Sequence, residues 1–151
     1  MTQLALRPAT PRDLAVITRL AEAFNLEDGH PLTPEGKKAL EILCQGTPHG
    51  HAFMIEQRQH CIGYIVIGLG FSIEFGGIDA FLDEFYIEPP HRGAGLGAQA
   101  LEALTVFARE THIKAIHLEA MPENDKAARL YVRMGFHLSQ RRLMSKPIRH
   151  K

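Results

Sequence analysis

Apolar residues recur along the chain with two different periods, and the changes of period predict where helices and strands lie. After Thr10-Pro11-Arg12-Asp13, which combines a capping threonine with a proline suited to a first helical turn, apolar residues fall at helical spacing. These are Leu14, Ile17, Leu20, Ala21 and Phe24. The pattern predicts a helix that ends near Asn25, a loop over 25–34, and a second helix from Thr33-Pro34.

The middle of the chain changes to strand-like segments over 52–56, 61–68 and 78–87, with Gly76-Gly77 as a hairpin between the last two. A long helix to about Glu110 follows, then a strand over 115–120, a helix that begins at Asn124, and a strand pair over 136–146. Together with a short strand around Leu4 and Leu6, the predicted order is β-α-α-β-β-β-α-β-α-β-β. Periodicity alone therefore predicts one mixed α/β domain over residues 1–151.

Composition narrows the class of protein. The 151 residues carry 17 Lys and Arg against 17 Asp and Glu, so the formal net charge is zero, which argues against nonspecific nucleic-acid binding. No apolar run approaches the roughly 20 residues that span a membrane, and the first residues lack the pattern of a secretion signal. Two cysteines, Cys44 and Cys61, favour reduced thiols in a cytoplasm over a disulfide framework. His49 and His51 match no standard zinc spacing, so we expect no metal.

The run Pro89-Pro90-His91-Arg92-Gly93-Ala94-Gly95-Leu96-Gly97 carries the first chemical signal. It lies between an apolar strand and a helix, where backbone N–H groups can converge on an anion. The glycines let the backbone approach a phosphate closely, and Arg92 offers a charged fork for phosphate oxygens. It is neither a Walker A loop, which needs a following Gly-Lys-Ser/Thr, nor a good G-x-G-x-x-G dinucleotide fingerprint. The prediction is a phosphate-bearing cofactor at a helix N-terminus.

A second segment, Asn124 to Phe136, reads Asn-Asp-Lys-Ala-Ala-Arg-Leu-Tyr-Val-Arg-Met-Gly-Phe. Asn124 is a good N-cap, and Gly135 stands where a left-handed residue would end the helix. Together the two motifs resemble the GCN5-related N-acetyltransferase (GNAT) superfamily over about residues 50–146. The resemblance implies an α/β (α+β) single-domain GNAT-like fold, with a mixed, mostly antiparallel central sheet flanked by about four helices.

The same resemblance implies acetyl-CoA as co-substrate and assigns its binding residues. Arg92 and the backbone of the glycine-rich run would bind the pyrophosphate, although Ala94 stands where the family often has a basic residue. Phe85 and Ile87 would pair their backbone with the pantetheine arm, and a backbone N–H near Ile87 would polarise the thioester carbonyl. Asn124 would bond the cofactor arm. The cofactor-binding residues are Phe85, Ile87, Arg92, Gly93, Ala94, Gly95, Leu96, Gly97 and Asn124.

Two side chains are expected to move protons. Tyr131 coincides with the general acid of the family, and an unperturbed tyrosine stays protonated at neutral pH. Glu84 is the expected base, which would take a proton from the acceptor amine directly or through water. Asp83 is the rival, because the period of two in a strand places neighbouring residues on opposite faces. A bulge in this strand, which the family usually has, would remove that distinction.

The acceptor is expected to be a primary amine of a small molecule, such as a polyamine, an amino acid or an aminoglycoside. Asp83 and Glu119 are the candidate acceptor-binding residues, with Glu74 and Asp79 as weaker ones. Cys44 and Cys61 match no nucleophile position of the family, so direct transfer in a ternary complex is expected. Acetylation of protein lysines or N-termini, and a non-catalytic acyl-CoA-binding module, remain alternatives; a homodimer is plausible by analogy.

Overall fold

The computed structural model describes residues 4–150, which form two compact units that divide between Glu119 and Ala120. Within these residues the first unit contains five strands and three α-helices, and the second contains one α-helix. The strands are β1 Leu4–Pro8, β2 Gly50–Gln57, β3 His60–Ser72, β4 Gly77–Ile87 and β5 Ile116–His117. The α-helices are α1 Leu14–Glu27, α2 Pro34–Gln45, α3 Leu96–Glu110 and α4 Asp125–Arg133, and short 3-10 turns cover Pro11–Asp13 and Pro89–His91.

The five strands of the first unit form one sheet in the order β1-β2-β3-β4-β5. The first four are antiparallel to their neighbours, whereas β5 runs parallel to β4 and pairs with it only at Ala80 and Phe81. The sheet and four α-helices confirm the predicted fold class. The predicted strand over 115–120 is shorter than expected, since only Ile116 and His117 pair.

Local signals at the first two helices act as the sequence predicted. The Thr33 side chain accepts a hydrogen bond from the N–H of Gly36 at 3.0 Å, which caps α2. Before α1, Asp13 accepts from the N–H of Thr10 and binds Arg7 at 2.8 Å. Arg7 also binds Glu56 of β2 at 3.1 Å and holds the pKa of Asp13 low, at about 2. These contacts fix the start of α1 against β1 and β2.

Helices pack on both faces of the sheet, and each face has its own cluster of buried apolar side chains. On one face, α1 and α2 pack on alternate residues of the central strands, so that Tyr64, Val66 and Tyr86 are buried with Ile17 and Leu20. The other face belongs to α3, where the ring of Phe107 meets that of Phe53 at 4.9 Å. Burial of these apolar side chains is the main stabilising term of the unit. No helix within residues 4–150 is long and apolar enough to cross a membrane.

The second unit confirms the predicted helix but not the strands after it. Asn124 accepts from the N–H of Ala127 at 3.2 Å, and Gly135 has a left-handed φ of 95°, which ends the helix. The strand pair predicted over 136–146 was wrong, because no residue of 136–150 belongs to a strand. Its apolar residues, such as Leu138 at 98% exposure and Met144 at 89%, pack on nothing that would hold a strand in register.

Candidate active site

Strand β4 contains a bulge at Asp83. Leu82 pairs with Ile67 and Glu84 pairs with Val66, so two successive residues of β3 face three of β4. The extra residue cancels the alternation of the strand at this point. Val66 belongs to the core under α1 and α2, and Asp83 lines a pocket with residues of α2. Asp83 and Glu84 therefore both lie on the α1/α2 face, and the opposite-face distinction expected from strand parity does not hold.

Glu84 is half-buried, and both of its carboxylate oxygens accept hydrogen bonds. The hydroxyl of Tyr64 donates to Oε1 at 2.7 Å, and the side-chain amide of Asn25 donates to Oε2 at 3.1 Å. The Asn25 amide also donates to the carbonyl of Ala21 at 2.7 Å, which fixes its orientation on α1. The carboxylate is thus held in one position by a buried strand residue and a helix residue.

The environment of Glu84 raises the pKa of its carboxyl above the ordinary value. Burial is the main cause, and the charge of nearby Asp83 adds to it, while the hydrogen bonds from Tyr64 and Asn25 oppose it. Tyr64 is fully buried, and burial together with the charge of Glu84 raises the pKa of its hydroxyl. Tyr64 therefore remains a hydrogen-bond donor, and Glu84 is poised to accept a proton closer to neutral pH than an exposed glutamate.

The end of β4 next to Glu84 has an open backbone edge. Glu88 donates its N–H to Ile62 on the β3 side at 2.8 Å. Because successive residues alternate, Phe85 and Ile87 direct their N–H and C=O groups to the other side. There β5 pairs only at Ala80 and Phe81, so within residues 4–150 no strand covers this edge. These are the two residues expected to pair with an extended ligand.

The glycine-rich loop leads into the start of α3 with an unusual backbone conformation. Gly93 and Gly95 adopt left-handed φ angles of 84° and 78°, which residues with a side chain rarely adopt. Within residues 4–150 the N–H groups of Gly93, Ala94, Gly95, Leu96 and Gly97 have no carbonyl partner. The N–H of Gln99 bonds to Gly95 at 3.2 Å, so the helical ladder begins only there. Five backbone donors are thus available where the helix dipole favours an anion.

Arg92 makes contacts that the sequence did not predict. Its Nε donates to the carbonyl of Ile87 at 2.7 Å, and its Nη2 donates to both oxygens of Glu27 at 3.0 and 3.1 Å. The guanidinium also lies over the ring of Tyr86, 5.2 Å from the ring centre. Arg92 therefore ties the loop to the end of β4 and to the last residue of α1. Its role as a phosphate ligand stays a prediction.

The other predicted residues fall in different places. Glu119 is exposed beyond the end of β5, at the boundary of the first unit. Asp79, one of the weaker acceptor candidates, instead binds His117 of β5 at 3.0 Å. Asn124 and Tyr131 belong to the second unit, where the half-buried Tyr131 lies at 5.8 Å from the ring of Phe136. Burial raises the pKa of its hydroxyl, so it stays protonated at neutral pH.

Other kinds of chemistry would need a reactive cysteine or a cluster of metal-ligating side chains. Cys44 and Cys61 are free thiols, and burial raises the pKa of both, which disfavours the nucleophilic thiolate. Within residues 4–150 no three metal-ligating side chains come together. His51 packs its ring against Phe53 and Phe107.

Sequence reasoning missed Tyr64, Asn25 and Glu27. Tyr64 reads as a core residue of an apolar strand, and Asn25 and Glu27 read as the end of a helix. Each acts through a partner that is 20 to 65 residues away in the chain. The only local signal was a polar residue, Asn25, one position after Phe24, the last residue of the apolar pattern that predicted α1.

Comparison with known proteins identifies the family. The sequence model of the acetyltransferase (GNAT) family matches residues 17–136, most of the chain. The chain belongs to this family. The match confirms the resemblance drawn from the two motifs and the predicted acyltransferase class.

Two individual relatives carry acetyltransferase names, which agrees with the family match. The uncharacterized N-acetyltransferase YycN of Bacillus subtilis (strain 168) is 32% identical over 99 residues, which cover 64% of this chain and 62% of that protein. The thialysine N-epsilon-acetyltransferase of Bos taurus is 25% identical over 130 residues, 81% of this chain and 75% of that protein. The match thus spans less than two thirds of the Bacillus protein.

A solved structure matches over almost the whole chain. It is the integron cassette protein HFX_CASS3, from the mobile metagenome of Cole Harbour Salt Marsh. It has a TM-score of 0.81 and 31% sequence identity, and the alignment covers 97% of this chain and 91% of that one. The similarity agrees with the predicted fold.

Proposed function

We propose that this GNAT family member transfers the acetyl group of acetyl-CoA to a primary amine of a small molecule by direct attack in a ternary complex. The observation that carries the proposal is the position of Glu84. Its carboxylate is held by two hydrogen bonds, one residue before the open backbone edge of Phe85 and Ile87. A base and an edge for an extended thioester arm therefore lie side by side.

In the proposed reaction the acceptor ammonium first gives a proton to Glu84, directly or through one water. The amine nitrogen then attacks the thioester carbon, and the N–H of Ile87 stabilises the negative charge that develops on the carbonyl oxygen. The C–N bond forms and the C–S bond breaks, and the leaving thiolate takes a proton from Tyr131. The nitrogen loses its second proton to the tyrosinate, which restores Tyr131, and Glu84 releases the first proton to solvent. The products are an acetamide and the free thiol of CoA, so no covalent enzyme intermediate is needed.

The glycine-rich loop would hold the pyrophosphate of the cofactor. The support is the set of five N–H groups from Gly93 to Gly97, at the start of α3, that have no carbonyl partner in the described part of the chain. Arg92 would add charge at the entrance of this loop, and Asn124 of the second unit would bond the cofactor arm. Asp83, in the bulge, and Glu119 would bind the acceptor.

The relatives support an amine acceptor without naming it. The bovine relative is called a thialysine N-epsilon-acetyltransferase, and this name agrees with an amine acceptor. A cytoplasmic location, proposed from the two free cysteines, and a homodimer, proposed by analogy, belong to the same hypothesis.

The test is release of CoA thiol from acetyl-CoA by the purified protein, across a panel of monoamines, polyamines, amino acids, aminoglycosides and lysine peptides. Transfer to a small amine is the expected result. Transfer to lysine peptides alone would replace the proposed acceptor class with proteins. A rise in melting temperature with acetyl-CoA but no transfer to any amine would contradict catalysis and favour a binding module.

A further inference from the structure

A pocket beside the bulge bears on which amine is acetylated. It lies on the α1/α2 face between α2 and strands β2 to β4, with a volume of about 360 Å³. Ile42 and Leu43 of α2 form one wall, and Val66 and Phe81 lie on the sheet side. Val66 is the residue that pairs with Glu84, so the pocket borders the proposed base. We call it the Asp83 pocket.

The Asp83 pocket is open because residue 68 is a glycine. Gly68 lies two residues from Val66 on the same face of β3, and its φ is not in the left-handed region. A Cβ added there would meet no atom within 4 Å, whereas a Cβ on neighbouring Gly50 would meet the carbonyl oxygen of Ile67 at 2.6 Å. The backbone therefore explains the glycine at 50 but not the one at 68. The missing side chain leaves room in the sheet side of the pocket.

The polarity of the lining residues indicates which amines the pocket would bind. Asp83 is the only carboxylate among the lining residues, and Thr47 and His49 are the other polar ones. The remaining lining residues are apolar or glycine. Asp83 is exposed at the pocket, and within residues 4–150 its carboxylate forms no ion pair and no side-chain hydrogen bond; desolvation by its surroundings raises its pKa. One cation beside Asp83 would supply a partner, while a second cation elsewhere in the pocket would lie against apolar residues without a counter-ion.

We propose that the Asp83 pocket binds the acceptor, and that this acceptor is a small primary amine with one positive charge on an apolar alkyl or aryl body. The ammonium group binds Asp83 at the bulge, next to Glu84, and the apolar body fills the space above Gly68. This inference rests on the proposed function and narrows it, because polyamines and aminoglycosides carry several charges that the pocket does not match.

The first experiment compares straight-chain amines in the thiol-release assay. From propylamine to hexylamine, kcat/KM should rise about threefold per methylene as each buries in the pocket. Hexylamine should exceed 1,6-diaminohexane by at least tenfold, since the diamine has the same length and a second charge. A preference for the diamine or for an aminoglycoside would overturn the assignment of the acceptor class while leaving the acetyltransferase intact.

The second experiment fills the pocket. Gly68→Val should lower kcat/KM for hexylamine at least tenfold and flatten the dependence on chain length. The KM for acetyl-CoA should not change, and a β-branched residue in a strand should not lower the melting temperature. An unchanged chain-length dependence in a folded Gly68→Val protein would overturn the pocket.

Two further variants test separately how the apolar wall of the pocket and the charge of Asp83 contribute to acceptor binding. Ile42→Ala removes a wall residue that is 54% exposed, and Val106→Ala on α3, 40% exposed, is its matched control outside the pocket. Only Ile42→Ala should lower kcat/KM for hexylamine, by several-fold. Asp83→Asn should lower it at least tenfold. Equal effects of Ile42→Ala and Val106→Ala would contradict the assigned wall.

Direct binding keeps the two proposals distinguishable. Calorimetry should detect hexylammonium binding to the wild-type protein and weaker binding to Gly68→Val, whether or not any acetyl transfer occurs. Binding of this kind without transfer would support the pocket and contradict the proposed function. No binding, or equal binding to both proteins, would overturn the pocket.

Discussion

The two halves of β4 have the same partner on one side and different neighbours on the other. Before the bulge, Ala80 and Phe81 pair with β5, and Asp79 binds His117 across that junction. After the bulge, no strand within the described residues pairs with Phe85 and Ile87 on that side, where the Ile87 carbonyl accepts a hydrogen bond from Arg92, and Glu84 lies beside them. One half satisfies its backbone within the sheet, and the other leaves the N–H groups of Phe85 and Ile87 for a ligand. The bulge at Asp83 thus lies between a part of β4 that pairs with strands on both sides and a part that pairs with a strand on one side only.

The strongest test of this comparison is the base in the open half. Glu84→Gln keeps the size of the side chain but removes the proton acceptor, so kcat should fall about 10²- to 10⁴-fold. In the wild type, kcat/KM should fall as the pH drops through the raised pKa of Glu84, because the protonated carboxyl cannot act as a base. Steady-state rates and a pH profile check both. A fully active Glu84→Gln protein would remove Glu84 from the mechanism.

The next test concerns Tyr131, the proposed general acid, which belongs to the second unit. Tyr131→Phe should lower kcat about tenfold and leave the affinity for acetyl-CoA nearly unchanged. The effect is smaller than that of Glu84→Gln because a thiolate, whose acid has a pKa of about 8.5, leaves without much help from a proton donor. Turnover and binding of acetyl-CoA measured together test it, and unchanged turnover would exclude Tyr131 as the acid.

A third test concerns the loop that follows the open half. Arg92→Ala should raise the KM for acetyl-CoA roughly tenfold with a smaller effect on kcat, since it removes a charge and the contact with Ile87. Arg19→Ala is the matched control, because Arg19 pairs with Glu88 at 3.4 Å, outside the loop.

Glu27→Gln separates the two roles of Arg92. It weakens the ion pair of Glu27 with Arg92 but keeps the arginine. If Arg92 binds phosphate, this variant should leave the KM for acetyl-CoA unchanged or lower it. An equal rise in both Arg92→Ala and Glu27→Gln would mean that the pair itself, and not a phosphate contact, is what matters.

A fourth test sharpens the role of the buried tyrosine beneath the base. The Tyr64 hydroxyl donates to Glu84 and stabilises the charged carboxylate. Tyr64→Phe removes only this bond, so the pKa of Glu84 should rise further and the acid limb of the pH profile should move up by roughly one unit. The activity at high pH should change little. An unmoved limb would mean that Tyr64 is only a packing residue.

The smallest effect is expected in the paired half. Asp79→Asn breaks the contact between Asp79 and His117. Because both side chains are partly exposed, the free energy of unfolding should fall by less than about 1 kcal/mol. The kcat should stay at the wild-type value, which makes this variant the control for Glu84→Gln on the same strand. Denaturant unfolding and rate measurements check it, and a large loss of kcat would break the distinction between the halves.

Much of the fold was predictable, because its signals are local. The caps at Thr33 and Asn124 and the left-handed Gly135 each act within a few residues, and the structure places all three as predicted. The strand pair over 136–146 was not predictable from alternation alone. A strand needs a partner and a buried face, and neither is a property of the segment itself.

The sequence by itself determined the family, through two motifs whose residues act by their own backbone conformation and chemical type. It also named Glu84 and the glycine-rich loop as candidates for the chemistry. Only the tertiary structure decided that Asp83 and Glu84 share one face, since a bulge depends on the register of β4 against β3. It also brought Tyr64 and Asn25 to Glu84, and Glu27 to Arg92, because those contacts join residues far apart in the chain. Local conformation depends on neighbouring residues, whereas the position of a proton acceptor depends on packing between residues that are distant in the chain.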